Sequence, residues 1–71
     1  MAGNMETDMK NDFLIYVMEE YKFIHNMTGK KVVELFAKYN IFDYIIRHYE
    51  ALHTTGGLYI VDDIDSLISS R

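Results

Sequence analysis

The sequence predicts a small all-α domain in which three main helices are followed by a short fourth. Three segments carry apolar side chains at the i, i+3, i+4, i+7 spacing that places them on one face of a helix. Residues suited to helix ends separate these segments, and no proline interrupts them. A short turn joins the second and third segments, as in a helix-turn-helix. We therefore expect a three- to four-helix domain with a helix-turn-helix-like pair in the middle.

Length and composition indicate one domain. The chain has 71 residues, of which 49% are apolar and 14% aromatic, so a disordered segment is excluded. Residues 1–7 show no periodicity and are expected to form a flexible leader, with residues 8–71 as a single helical domain. A domain of this size buries only about 60% of its unfolded surface. Tight aromatic packing or self-association must therefore support it.

Charge and cysteine content narrow the class of protein further. The formal net charge is -4, which disfavours non-specific binding to nucleic acid. The chain has no cysteine, which excludes disulfides and thiolate metal sites and suits a reducing cytoplasm. No apolar run reaches the length of a membrane span. We expect a soluble cytoplasmic protein that does not contact a membrane.

The first two helices follow from their apolar spacing and their ends. The first is expected to begin between Thr7 and Asp12 and to end near Asn26. Thr28 is a suitable N-cap for the second helix, and Asn40 tolerates the left-handed backbone that ends it. The apolar faces comprise Leu14, Val17, Met18, Tyr21 and Ile24 in the first helix, and Val32, Leu35, Phe36 and Tyr39 in the second.

The third helix is expected to start after Phe42, with Asp43 as its N-cap, and to end at Gly56 or Gly57. Its apolar face comprises Ile45, Ile46, Tyr49 and Leu52. A phosphate-binding loop would need its glycines between a strand and a helix. Here the two glycines follow a helix, so we interpret them as a helix stop.

Three aspartates precede the predicted fourth helix. They lack the central glycine and terminal glutamate of an EF-hand loop, so helix capping is a better interpretation than a calcium or magnesium site. We expect Asp62 to be the N-cap and Asp65 to lie at the positive end of the helix. The segment 58–61 could be a connector, a short strand or the first turn of that helix. The connector is preferred because a lone strand has no evident partner.

No arrangement of residues indicates catalysis. His48 and His53 are five residues apart and do not share a helix face, and no nucleophile motif is present. His25 and His53 lie near predicted helix C-termini, where an imidazole can bind free carbonyls. The sequence does not define the role of the three histidines. We expect no enzyme, cofactor or metal site.

The first helix carries more apolar surface than one face can hold. Tyr16 and Phe23 lie seven residues apart on a second stripe, Met27 lies nearby, and Ile15 is a further outlier. Either the other helices wrap around this helix, or the second stripe contacts another chain. We expect Tyr16, Phe23, Ile15 and Met27 to bind a second copy or a dedicated protein partner.

DNA binding is the alternative function. The helix-turn-helix-like pair would place "YIIRHYEALH" in the position of a recognition helix. It offers Arg47 and His48 but also Glu50, and it has no row of amides or bases to bind base edges. Nucleic acid is therefore the less favoured partner.

Three blocks resemble a family of short bacterial proteins, catalogued as domain of unknown function 3791. The blocks are "VMEEYK" at 17–22, "TGKKVVELFAKYNIFDYI" at 28–45 and "YEALHTTGGLYIVDDID" at 49–65. The resemblance supplies no catalytic or ligand residues. It implies an accessory or antitoxin-like role beside an ADP-ribosyltransferase-like protein encoded nearby. The matching positions are Gly29, Val32, Leu35, Phe36, Tyr39, Asp43, Tyr44, Ile45, Tyr49, Leu52, His53, Gly56, Tyr59, Ile60 and Ile64.

Overall fold

The computed structural model describes the backbone of residues 3–70 and the side chains of residues 9–70. Over this range the protein has five helices and no strands, which confirms the predicted all-α class. The helices are α1 (Gly3–His25), α2 (Gly29–Lys38), α3 (Ile41–Arg47), α4 (Tyr49–Leu52) and α5 (Gly57–Ser69). None of them combines the length and apolar content needed to cross a membrane.

Helix α1 is the longest element. Its 23 residues extend about 34 Å at 1.5 Å per residue, close to the 37 Å long axis of the molecule. It begins at Gly3, earlier than the region from Thr7 to Asp12 where the sequence predicts its start. Capping residues are also tolerated inside a helix at a cost of a few tenths of a kcal/mol, and no proline stops α1 from extending. The boundary between a leader and a domain at residue 8 stays a prediction.

The α2–α3 pair is joined through a single left-handed residue. The side chain of Thr28 accepts a hydrogen bond from the Lys31 amide at 3.2 Å, which confirms the predicted N-cap of α2. Asn40 has φ 57° and ψ 36°, as expected for the residue that ends this helix. The prediction of Asp43 as the next N-cap is wrong. Asn40 completes the turn alone, so α3 starts at Ile41 and Asp43 lies in its first turn.

Backbone hydrogen bonds connect α3 directly to α4 at His48. The amide of His48 donates to the Tyr44 carbonyl at 3.1 Å, and the Leu52 amide donates to the His48 carbonyl at 2.9 Å. The backbone hydrogen bonds therefore continue through His48, so no loop separates α3 from α4. Helix α4 ends at Leu52 and not at Gly56 or Gly57 as expected. The Thr55 hydroxyl donates to the Leu52 carbonyl at 2.7 Å, because the helix does not continue.

Helix α5 corrects the connector prediction for residues 58–61. These residues form its first turns, and Gly56 occupies the N-cap position without a side-chain bond. The prediction of Asp62 as N-cap is also wrong, since Asp62 lies inside this helix. Ile60, Val61 and Ile64 are buried at i, i+1, i+4 spacing. Burial of these three side chains requires the helix to begin before them.

All five helices contribute to a single core. Helix α1 packs against α2, α3 and α5, so it forms the spine of the domain. Ile46, assigned to the apolar face of the third helix by its spacing, is instead exposed. The buried residues are Val17, Tyr21, Val32, Phe36, Ile41, Ile45, Leu52, Ile60, Val61 and Ile64.

Candidate interaction surface

Helix α1 carries an exposed apolar stripe, which consists of Met9, Tyr16 and Phe23. These residues are seven apart, so they lie on one side of the helix. Phe23 is 76% exposed and Tyr16 is 43% exposed, and Met9 is also exposed. The other helices therefore do not wrap α1 on all sides. We call this set the α1 stripe.

The other two predicted contact residues lie elsewhere. Ile15 is 60% exposed, but it is about 100° from Tyr16 around the helix axis at 3.6 residues per turn. Met27 lies beyond the end of α1 and is half-buried against the core. The structure brings together Tyr16 and Phe23, whereas Ile15 and Met27 lie on separate surfaces.

A groove between α1 and α5 adds a second apolar surface. Its volume is about 490 Å³, and it is lined by Ile24, Leu58, Tyr59, Val61, Asp62 and Asp65. Leu58 is 74% exposed and Tyr59 is 67% exposed, although their neighbours Ile60 and Val61 are buried. We call it the α1–α5 groove. The sequence did not indicate this groove, because a connector over 58–61 has no fixed outer face.

Tyr16 of the α1 stripe lies next to the start of α5. Its hydroxyl and the Glu20 carboxylate both lie close to Gly57, the first residue of α5. Partial burial, followed by the charge of Glu20, raises the pKa of Tyr16. A Cβ at position 57 would lie 2.6 Å from Glu20 Oε1 and 2.9 Å from the Tyr16 hydroxyl. Glycine thus permits the close approach of α5 to α1 at this point.

A polar cluster at the edge of the groove holds α5 against α1. The buried Tyr21 donates its hydroxyl to Asp65 Oδ1 at 2.6 Å, and His25 Nε2 lies 2.8 Å from Asp65 Oδ2. Burial and the hydrogen bond to Asp65 raise the pKa of Tyr21 well above its ordinary value. Gly57 lies beside Tyr16 while Asp65 lies beside Tyr21 and His25, so α1 and α5 run in the same direction.

A second tyrosine–aspartate bond fixes α5 against α3. The Tyr44 hydroxyl donates to Asp63 Oδ2 at 2.5 Å. This hydrogen bond, with partial burial and the nearby charge of Asp63, raises the pKa of Tyr44 to about 12. Asp63 and Asp65 therefore bridge helices and do not cap one. Asp62 is exposed and lines the groove.

The remaining histidines have local contacts. His53 Nδ1 lies 2.9 Å from the Tyr49 carbonyl, in agreement with the expected interaction at a helix C-terminus. His48 packs against the Tyr44 ring. His25 differs from the expectation, because it contacts Asp65 and not a free carbonyl. Among residues 9–70, no three metal-ligating side chains come together.

The helix-turn-helix-like pair packs through aromatic contacts. Phe36 is buried, with its ring 5.2 Å from Tyr21 and 5.5 Å from Phe42 between centroids. Arg47 lies 3.3 Å from Asp43 on the exposed side of α3.

A further groove beside α2 has lysines and a glutamate around an apolar floor. It is lined by Met27, Lys31, Glu34, Leu35 and Lys38.

This fold and surface define the class: a small all-α domain with exposed apolar side chains on α1 and α5. The chain belongs to the family described as Protein of unknown function (DUF3791), whose family model matches residues 12–71. The resemblance noted in the three sequence blocks is thereby confirmed. No curated protein and no solved structure matches the chain.

Proposed function

We propose that the protein is a non-catalytic interaction module that binds a second copy or a dedicated protein partner through the α1 stripe. The exposure of Phe23 and Tyr16 on one side of α1 is the observation that carries this proposal. Large exposed apolar patches on small proteins mark interaction sites. Aromatic side chains also supply much of the binding energy at such sites.

The polar groups of α5 support a non-catalytic role. Asp63 and Asp65 accept hydrogen bonds from Tyr44 and Tyr21. Both contacts join one helix to another, so these carboxylates serve the fold.

The biological setting forms part of the proposal. The family resemblance implies an accessory or antitoxin-like partner of an ADP-ribosyltransferase-like protein encoded nearby, in a bacterial cytoplasm. An acidic domain with an exposed apolar stripe suits such a role, because it can cover an apolar or basic surface of another protein.

Affinity purification of the tagged chain from its native host, followed by mass spectrometry, tests the proposal. Light scattering on the purified chain measures self-association in parallel. We expect Phe23→Glu together with Tyr16→Glu to abolish partner capture or dimerisation, because a charge replaces an apolar contact. Val33→Glu is the matched control, since Val33 is an exposed apolar residue on α2. A monomer that captures no protein, or equal behaviour of the two variants, would contradict the proposal.

DNA binding by the α2–α3 pair is the second candidate. The exposed basic side chains Lys30 and Lys31 on α2 and Arg47 on α3 favour it. A gel shift that weakens steeply with salt and requires Lys30 and Arg47 would support this function. Binding that is insensitive to salt and is lost with the α1 stripe would exclude it.

A further inference from the structure

We propose that the α1–α5 groove binds a basic amphipathic helix of a partner protein, with a lysine or arginine of that helix contacting Asp62. The inference rests on the proposed interaction function and specifies the chemistry of the partner. It also adds a second contact surface, because the residues that line the groove are different from those of the α1 stripe.

The apolar floor of the groove fits one face of a helix. Leu58 and Tyr59 expose most of their side chains at the start of α5, and Ile24 faces them from α1. The floor lies between two helices, and its volume of about 490 Å³ leaves space for apolar side chains of a third helix. Amphipathic helices bind such grooves through apolar residues at i, i+3, i+4 and i+7.

The charges that line the groove are all acidic. Asp62 and Asp65 line it, and no lysine or arginine among residues 9–70 does. The Asp65 carboxylate already contacts Tyr21 and His25. Asp62 is exposed and makes no hydrogen bond or ion pair within residues 9–70. An apolar floor with an uncompensated carboxylate on its edge is complementary to an apolar helix face with a basic side chain on its border.

The same charges disfavour the other occupants. A symmetric contact between two copies would bring the acidic edges of both grooves together, and like charges across an interface oppose association. Helix α5 has three aspartates and no base to offset them. Phosphate groups of a nucleic acid would be repelled for the same reason.

Three synthetic peptides of 18 residues test the proposal. One places leucines on one helix face and lysines on the other, and its counterpart has glutamate in place of lysine. A third peptide has the leucine–lysine composition in scrambled order. Titration into the isotopically labelled full chain is followed by NMR. We expect only the ordered lysine peptide to shift the amide signals of residues 24 and 58–62 in a saturable way, with weaker binding at high salt.

Variants separate the apolar contact from the charged one. We expect Leu58→Ser to weaken binding about tenfold, because an exposed leucine supplies apolar contact area. Asp62→Asn should weaken it about two- to fivefold, the effect of one exposed ion pair. Glu34→Gln is the matched control, since it removes a carboxylate from the groove beside α2.

Several outcomes would overturn the proposal. Equal binding of the lysine and glutamate peptides would show that charge does not select the partner. Equal binding of the scrambled peptide, shifts centred on the α2 groove, or no binding would show that the α1–α5 groove is not a helix site. Dimerisation that shifts the groove signals would assign the groove to a second copy.

The two proposals fail independently. In partner capture from the native host, loss with Phe23→Glu but not with Leu58→Ser or Asp62→Asn would support the α1 stripe and reject the groove. Loss with the groove variants alone would reject the α1 stripe as the contact surface and support the groove.

Discussion

At the scale of single residues, the aspartates of α5 take three different roles within four positions. Asp63 bonds to Tyr44, Asp65 bonds to Tyr21 and His25, and Asp62 lines the groove. Successive residues are rotated by about 100° around a helix, so neighbouring carboxylates face different elements. The DDID sequence is thus a set of separate contacts and not a single acidic site.

The Tyr44–Asp63 bond makes stability dependent on alkaline pH. The hydrogen bond to Asp63 raises the folded-state pKa of Tyr44 to about 12, from 10 for an unperturbed tyrosine. A raised pKa contributes stability that is fully present below pH 10 and is lost as pH rises from 10 to about 12. We expect a loss on the order of 1 kcal/mol, allowing for partial exposure.

Urea unfolding between pH 9 and pH 12 measures this loss. Tyr44→Phe should remove part of the pH dependence and lower stability below pH 10. Tyr49→Phe is the control, because the Tyr49 hydroxyl makes no such bond among the described residues. If Tyr44→Phe and wild type lose stability equally over this range, the bond does not control the alkaline transition.

The sequence predicted single-residue roles where the cause is local. Thr28 and Asn40 act through their own backbone neighbourhood, so both were identified correctly. Tyr16 and Phe23 were placed outside the buried face by helix periodicity alone. The partners of Asp63 and Asp65 could not be predicted, because Tyr44 and Tyr21 are 19 and 44 residues away and meet them only in the folded chain.

At the scale of elements, Asn40 determines how α2 passes into α3. Its left-handed backbone, with φ 57°, lies directly before the first residue of α3. The left-handed conformation costs about 1–2 kcal/mol for an ordinary L-residue, and less for asparagine or glycine.

Substitution at Asn40 tests this conformational requirement. We expect Asn40→Gly to stay within about 0.5 kcal/mol of wild type, and Asn40→Val to lose about 1–2 kcal/mol or more in chemical denaturation. Glu34→Val places the same β-branched side chain on an exposed helix position and should cost only a few tenths of a kcal/mol. Equal costs for the two valine variants would show that the backbone conformation at Asn40 is not limiting.

Helix α5 shows why element boundaries were harder to predict than element types. Four consecutive apolar residues, 58–61, are compatible with a connector, a strand or a helix when considered alone. Packing of Ile60 and Val61 against α1 favours the helix, and that contact spans more than 35 residues of sequence. The groove depends on the same packing, so it could not be predicted either.

At the scale of the whole molecule, a small core leaves little stability to spare. Ten buried apolar side chains form the core within the described residues. Among them, Phe36 packs its ring against the buried Tyr21 and the partly buried Phe42. Folded domains have a net stability of only about 5–15 kcal/mol, and small domains lie at the lower end.

Phe36 is buried and Phe23 is exposed, so replacing each with alanine should change the free energy of unfolding by different amounts. We expect Phe36→Ala to cost about 3–5 kcal/mol and to unfold much of the population at 25 °C. Phe23→Ala should change the stability of the isolated chain by less than about 0.5 kcal/mol. Circular dichroism with urea denaturation measures both. Similar losses would mean that Phe23 is buried in solution, by self-association or by a different packing of α1.

The packing of α5 on α1 also has a consequence for biosynthesis. The ribosome releases α5 after the other four helices, yet α5 supplies Ile60, Val61 and Ile64 to the core. Until then Val17 and Tyr21 are expected to be exposed to solvent, so the nascent chain has more exposed apolar surface than the folded protein. A chain that stops before Gly57 is accordingly expected to lack cooperative melting and to be degraded quickly by added protease.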